Sequence, residues 1–200
     1  MMPQPTFNYF ALVLAAGASS RMGTCKASLP WRNGKSLLSY QVEQLSLAKI
    51  VPIVVLGLHN CKQTQVPLKT IVAVNYNPSA GKVSSILTGL KHVPQFDCLL
   101  MSAVDQPRTS QIYQQLLQAH QSSPSVPITA PLYQGKLGHP LLFSASMRSH
   151  LENVSEANLG LRQVIQTFYS QIQRVEFDTP EILLDLNTPE AYQAALQIKD

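Results

Sequence analysis

The chain reads as an α/β protein: a Rossmann-like, mostly parallel sheet with helices on both faces, in a single domain over residues 1–200. Three observations predict this. Short apolar runs of strand type alternate with segments of helical period. The first run ends in a loop of small residues followed by cations, and a later run delivers a carboxylate just beyond its end.

The elements follow in order. Tyr9–Leu14 is the first strand, and Ser36–Ala48 is a helix with Leu37, Leu38, Val42 and Leu45 on one stripe. Ile53–Leu56 and Thr70–Val74 continue the sheet, Val83–Lys91 is a helix, and Cys98–Ser102 is a central strand. Beyond Pro107, Ser110–His120 is helical with Ser110 as its N-cap, and Val126–Ala130 and Pro140–Phe143 are short strands. Asn158–Phe168 is helical, Ile172–Phe177 and Leu183–Leu186 are strand-like, and Thr188 caps a last helix, Pro189–Ile198. Prolines such as Pro30, Pro52, Pro94, Pro107 and Pro140 fall at junctions, where they end elements.

Composition narrows the class. Hydrophobic residues at 45% and charged residues at 13% describe one globular domain with a sizeable core. The formal charge of +4 comes from Lys and Arg scattered singly, so no basic stripe for nucleic acid is expected, and a small anionic substrate accounts for the sign. Three widely spaced cysteines form no Cys-x-x-Cys pair and indicate neither a disulfide framework nor a zinc site. No apolar run approaches the roughly 20 residues that span a bilayer, and the polar Met1–Asn8 does not resemble a secretion signal. A soluble, cytoplasmic protein is expected.

Leu14–Lys26 is the most informative stretch. Leu14, Ala15, Ala16 and Gly17, followed by Ala18, Ser19 and Ser20, present backbone N–H groups with few side chains in the way of a ligand. Arg21 adds a planar donor fork suited to phosphate oxygens, and Lys26 adds a point charge from beyond the turn at Gly23. The loop reads as a triphosphate cradle. It lacks the Lys-Ser/Thr end of a Walker A loop and the three glycines of a dinucleotide loop.

This string, with Leu29-Pro30 after it, resembles the signature of nucleotidyltransferases that run Leu-Ala-Ala/Gly-Gly-x-x-x-Arg-Met-Gly-x-x-Lys. Within them the chain resembles the MobA-like group, whose fold is of the nucleotide-diphospho-sugar transferase type. Ala16, where the guanylyl branch usually carries a second glycine, is similar to the molybdenum cofactor cytidylyltransferase branch. The resemblance implies a nucleotide-binding half over residues 8–107 and an acceptor-binding half over residues 108–200.

Later segments extend the pattern. Asp105-Gln106-Pro107 follows a central strand, where open α/β sheets bind ligands. A carboxylate beside a triphosphate is unfavourable unless a divalent cation intervenes, so Asp105 reads as a Mg²⁺ (or Mn²⁺) ligand, with a turn or capping aspartate as the alternative. Asn187 stands where cytidylyltransferase relatives often carry Asp; its amide oxygen is still a hard ligand, and Asp185 is a candidate to complete the set. Asn75, Gly81, Ser84 and Ser85 resemble the family segment that faces the nucleobase. Gly138-His139-Pro140 and Arg162 resemble its acceptor-side motifs, with Gln106 and Pro107 beside them. His59, His92, His120 and His150 carry no partner motif and read as surface groups, and Trp31 as a packing residue.

The resemblance implies that Arg21, Lys26 and Asp105 carry transfer of CMP from CTP to the phosphate of molybdopterin, with release of pyrophosphate. A molybdenum hydroxylase is the protein partner it points to. Three alternatives stay open at this point: GTP-dependent guanylylation of the same cofactor, a sugar- or alditol-phosphate nucleotidyltransferase, and a non-catalytic carrier that delivers the cofactor to such a hydroxylase.

Overall fold

The first strand sets the architecture. In a computed structural model that describes residues 8–19, 22–68 and 70–197, β1 (Tyr9–Ala15) runs through the middle of the sheet with both faces covered. Its side chains alternate as the pleat requires. Ala11, Val13 and Ala15 enter one apolar cluster with α1 (Leu37–Leu47), α3 (Ser110–Gln121) and α6 (Pro189–Leu196). Leu12 and Leu14 enter the other, with α2 (Lys82–Leu90), α4 (Arg148–Glu152) and α5 (Leu161–Thr167). A strand buried on both faces has no polar side to show, which is why this run is continuously apolar.

Parallel pairing joins β1 to β2 (Val51–Gly57), β2 to β3 (Ile71–Asn75), and β1 on its other edge to β4 (Cys98–Ala103). The order β3-β2-β1-β4 therefore reverses direction between β1 and β4. Loops leaving the carboxyl ends of those two strands part to opposite sides and leave a crevice. Past β4 the sheet is mixed. Strand β7 (Leu141–Ser144) is antiparallel to β4 and to β5 (Ile128–Tyr133). The short β6 (Lys136–Leu137) is antiparallel to β5, and β8 (Ile172–Glu176) parallel to it.

The expected strands and helices of the first half form where the period places them, with Ser36 capping α1 by accepting from the Ser39 N–H at 3.1 Å. The second half brings corrections. Leu183–Leu186 is not a strand: a 3-10 turn occupies Pro180–Leu183, and the chain after it stays out of the sheet. Its backbone groups have other partners, described below. Ser110 is the first residue of α3 rather than its cap, a position held by Thr109. The helix expected over Asn158–Phe168 is shortened to α5 because Leu159 and Gly160 both take positive φ, 61° and 56°. His120 is a core residue, its Nδ1 2.8 Å from Thr129 Oγ1. It lies four residues beyond Leu116 on the buried stripe of α3, so helical period outweighs polarity here. His59, His92 and His150 are exposed.

Trp31 packs between Tyr40 and Tyr192, and the three cysteines are free. No helix among the described residues is long and apolar enough to cross a membrane.

Helix α2 lies close on the sheet because Gly89 carries no side chain: a Cβ there would stand 2.7 Å from both Leu12 and Val55. Gly89→Leu overfills this contact and is expected to lower stability by about 1–3 kcal/mol. Urea unfolding measures it, and an unchanged midpoint would contradict the close approach.

Candidate active site

A cavity of about 600 Å³ opens at the carboxyl ends of β1 and β4, lined by Leu14–Gly17 on one side and Ala103–Gln106 on the other. Its remaining walls come from Ser19, Lys26, the start of α2 (Gly81, Lys82, Ser85), Arg162, Asp185 and Asn187. The crevice expected from strand order is thus the principal cavity among the described residues.

The loop after β1 is shaped by its own backbone and by one buried amide. Ser19 takes φ 52°, its carbonyl accepts from the Met22 N–H at 2.9 Å, and its hydroxyl accepts from the Lys26 N–H at 3.2 Å. Asn60, in the turn after β2, is 2% exposed. Its side chain accepts from the Gly57 N–H at 2.9 Å and donates to the Ala15 carbonyl at 2.9 Å and to Cys25 Sγ at 3.6 Å. The start and end of the loop are therefore pinned to β2 by one residue. Arg21, expected to hold the departing phosphates, lies outside the described residues.

At the floor of the cavity, Lys26 Nζ donates to Asp105 Oδ2 at 2.6 Å and to Asn187 Oδ1 at 2.9 Å. Both charged side chains are largely shielded, at 12% and 16% exposure, which strengthens the attraction over that of a surface pair. Asp105 is held from two sides. Gln41 of α1 donates to the Ala103 and Gln106 carbonyls at 3.1 and 3.0 Å, fixing the turn, and the Leu186 N–H donates to the Asp105 carbonyl at 2.9 Å. Asp185 completes the acidic group. Its pKa is raised, first by burial and then by the charge of Asp105.

The other expected site residues divide. Gly81 and Ser85 line the cavity, as does Arg162, an exposed cation on its wall. Asn75 and Ser84 stand behind it. The Asn75 amide donates to Ser84 Oγ at 2.8 Å and Ser85 Oγ at 3.0 Å, tying the end of β3 to the first turn of α2. Pro107, Gly138, His139 and Pro140 lie outside the cavity wall. Gly138 is required for packing, since a Cβ there would overlap the Ile182 carbonyl.

Lys82, Gln41 and Arg108 were not expected at the site. Lys82 follows Gly81 at the cavity edge, and the glycine was the available signal. Gln41 sits on the apolar stripe of α1 between Leu37 and Leu45, where a polar residue marks a buried hydrogen bond. Nothing in the local pattern singles out Arg108.

His139 is driven to a pKa of about 4, chiefly by burial, with Lys82 and Arg108 lowering it further and Asp105 opposing them. The folded protein keeps the ring neutral where an unfolded chain, with the ordinary value of 6.5, would protonate it. The unfolded state thus binds more protons, and stability falls as pH drops from 6.5 towards 4, with a slope of up to about 1.4 kcal/mol per pH unit. His139→Gln is expected to flatten that part of the profile. Equal slopes in wild type and variant, by urea unfolding at several pH values, would refute the assignment.

Comparison with known proteins agrees with this geometry. A family model described as the MobA-like NTP transferase domain matches residues 11–175. The chain is 25% identical over 187 residues to the molybdenum cofactor cytidylyltransferase of Escherichia coli K12, covering 92% of this chain and 93% of that protein. It is 33% identical over 104 residues to a probable molybdenum cofactor guanylyltransferase of Rhodopirellula baltica, covering 50% of this chain and 49% of that protein. Among solved structures, Rv0371c from Mycobacterium tuberculosis H37Rv superposes with a TM-score of 0.81 at 23% identity, over 98% of this chain and 100% of that one. A manganese complex of the same protein gives 0.76 at 22% identity, over 96% and 100%. Sequence signature, strand order and cavity agree with the family match: the chain belongs to the MobA-like NTP transferase family and is a nucleotidyltransferase.

Proposed function

We propose that the protein transfers CMP from CTP to the terminal phosphate of a molybdopterin-type acceptor, in molybdenum cofactor biosynthesis. The observation that carries the reading is the convergence of Lys26, Asp105 and Asn187 beneath the loop after β1. The preference for CTP rests on Ala16 and on the E. coli cytidylyltransferase, which matches along nearly the whole chain. The half-length guanylyltransferase match keeps GTP as the second reading.

The oxygens at this point suit a divalent cation. Asp105 Oδ2 and Asn187 Oδ1 already meet on one positive charge, with Asp185 on the same cavity wall. Two carboxylates and an amide are hard oxygen donors, the set that Mg²⁺ or Mn²⁺ takes. The manganese complex of the M. tuberculosis protein with this fold supports the reading. A bound divalent ion supplies charge neutralisation for the triphosphate.

The chain's own groups do the rest. An acceptor phosphate oxygen attacks the α-phosphorus, the bond from that phosphorus to the oxygen bridging the β-phosphorus breaks, and pyrophosphate leaves. Backbone N–H groups of the loop cradle the phosphates. Lys26 neutralises charge growing at the α-phosphoryl group, Arg21 holds the leaving pyrophosphate, and Arg162 binds the acceptor phosphate. Gly81 and Ser85, the latter held by Asn75, face the nucleoside. No protein nucleophile is needed; catalysis is positioning and electrostatics. The product is suited to delivery to a molybdenum hydroxylase in the cytoplasm.

Lys26 cannot both keep its ammonium on the oxygens of Asp105 and Asn187 and neutralise a triphosphate. Without nucleotide its ammonium occupies the oxygens that would hold the metal; a triphosphate competes for the ammonium and frees them. Lys26→Met is therefore expected to bind Mn²⁺ more tightly than wild type when no nucleotide is present, by electron paramagnetic resonance. Its turnover should fall by about a hundredfold or more. Asp105→Ala should lose both Mn²⁺ binding and turnover; tight Mn²⁺ binding by Asp105→Ala would remove that residue from the metal set.

The decisive assay is pyrophosphate release with Mg²⁺ and molybdenum-loaded molybdopterin, comparing CTP, GTP and ATP. CTP-dependent release is the expected result. GTP preference would transfer the protein to the guanylyl branch, and no release with any nucleotide would overturn the reading.

A further inference from the structure

Arg108 is 2% exposed, yet among the described residues no carboxylate lies within ion-pair distance of its guanidinium. It spends its donors on main-chain carbonyls instead. Nε donates to His139 at 3.0 Å, Nη1 to Pro107 at 2.8 Å, and Nη2 to Ile182 at 3.0 Å and Leu184 at 2.9 Å. These carbonyls belong to three irregular segments, one after β4, one before β7 and one before α6. All three lie outside the sheet, and only the third has a turn of its own, the 3-10 turn Pro180–Leu183. Two of the three segments carry the side chains at the cavity floor: Asp105 stands two residues before Pro107, and Asp185 and Asn187 stand one and three residues after Leu184.

We infer that Arg108 is a positioning residue, whose fork sets the separation between the Asp105 turn and the 182–187 segment, and hence between the oxygens of Asp105 and Asn187. The inference rests on the metal reading above. The Leu186 N–H bond to the Asp105 carbonyl closes the same frame at its far end. Gly138 sets it from the other direction, since its bare Cα lets the Ile182 carbonyl approach to where Arg108 and the His139 N–H both bond it. A lysine could keep the charge, but its single ammonium cannot reach carbonyls spread along a planar fork.

The experiment measures Mn²⁺ affinity by electron paramagnetic resonance in the presence of CTP, on wild type, Arg108→Lys and Gly138→Ala. Circular dichroism verifies that each is folded at the working temperature. Supporting groups around a metal site typically change its affinity by about 10- to 100-fold, and a loss of that size is expected for both variants. The Mn²⁺ concentration for half-maximal pyrophosphate release should rise in parallel, while the KM for CTP at saturating Mn²⁺ stays near wild type. That split separates positioning from general destabilisation. Wild-type Mn²⁺ affinity in folded Arg108→Lys overturns the inference; should that variant not fold, Gly138→Ala decides in the same way, because it displaces the Ile182 carbonyl with the guanidinium intact. A wild type that binds no Mn²⁺ with CTP overturns the metal reading, and this one with it.

Discussion

One ammonium group connects three distant parts of the chain. Lys26 comes from the loop after β1, Asp105 from the turn after β4, and Asn187 from the segment before α6. Each of these segments is irregular, and each would be free to drift if its polar groups faced only water. Their meeting on one cation closes the floor of the cavity. One carboxylate oxygen and one amide oxygen are thereby held together by the same ammonium.

Around that floor, buried amides and one guanidinium replace regular secondary structure. Gln41 holds the Asp105 turn from α1, Asn60 holds the loop after β1 from the end of β2, and Asn75 holds the start of α2 from the end of β3. Arg108 does the same for the segments after β4, before β7 and before α6. A turn that must present its backbone or side chains to a ligand cannot also use them in a sheet, so its remaining polar groups need partners from neighbouring elements. The cost of such residues is desolvation. The pKa of Arg108 falls to about 10 for that reason, burial being the main cause, yet the group remains charged at neutral pH.

The sheet's change from parallel to mixed order has a functional counterpart. Parallel strands β1, β3 and β4 end on the same side, and the segments that follow them line the cavity. The antiparallel strand β7 runs the opposite way beside β4 and brings Gly138-His139-Pro140 to the same end of the sheet. His139 is close enough to feel the charges of Lys82, Arg108 and Asp105, but it stands behind the cavity wall. The Gly-His-Pro motif thus acts on the site through its backbone, where the His139 carbonyl and N–H meet Arg108 and Ile182.

Local pattern was enough for the elements whose burial is periodic. The continuous apolar runs of β1, β2 and β4, the stripe of α1 and the Thr188 cap of α6 all follow from rules that act within a few residues. A small-residue loop followed by a cation and a carboxylate beyond a strand end are likewise local features, and the structure brings Lys26 and Asp105 together at the cavity. Leu183–Leu186 misled for the converse reason: Leu186 is buried and Leu183 and Leu184 are half-buried, but the Leu184 carbonyl accepts from Arg108, 76 positions away, and the Leu186 N–H is taken by the Asp105 carbonyl. Asn60 and Arg108 likewise owe their roles to partners remote in the chain. Hydrophobic period and turn chemistry are local and can be read along the chain; the satisfaction of buried polar groups is decided only when distant segments meet, and in this protein that is what sets the geometry of the site.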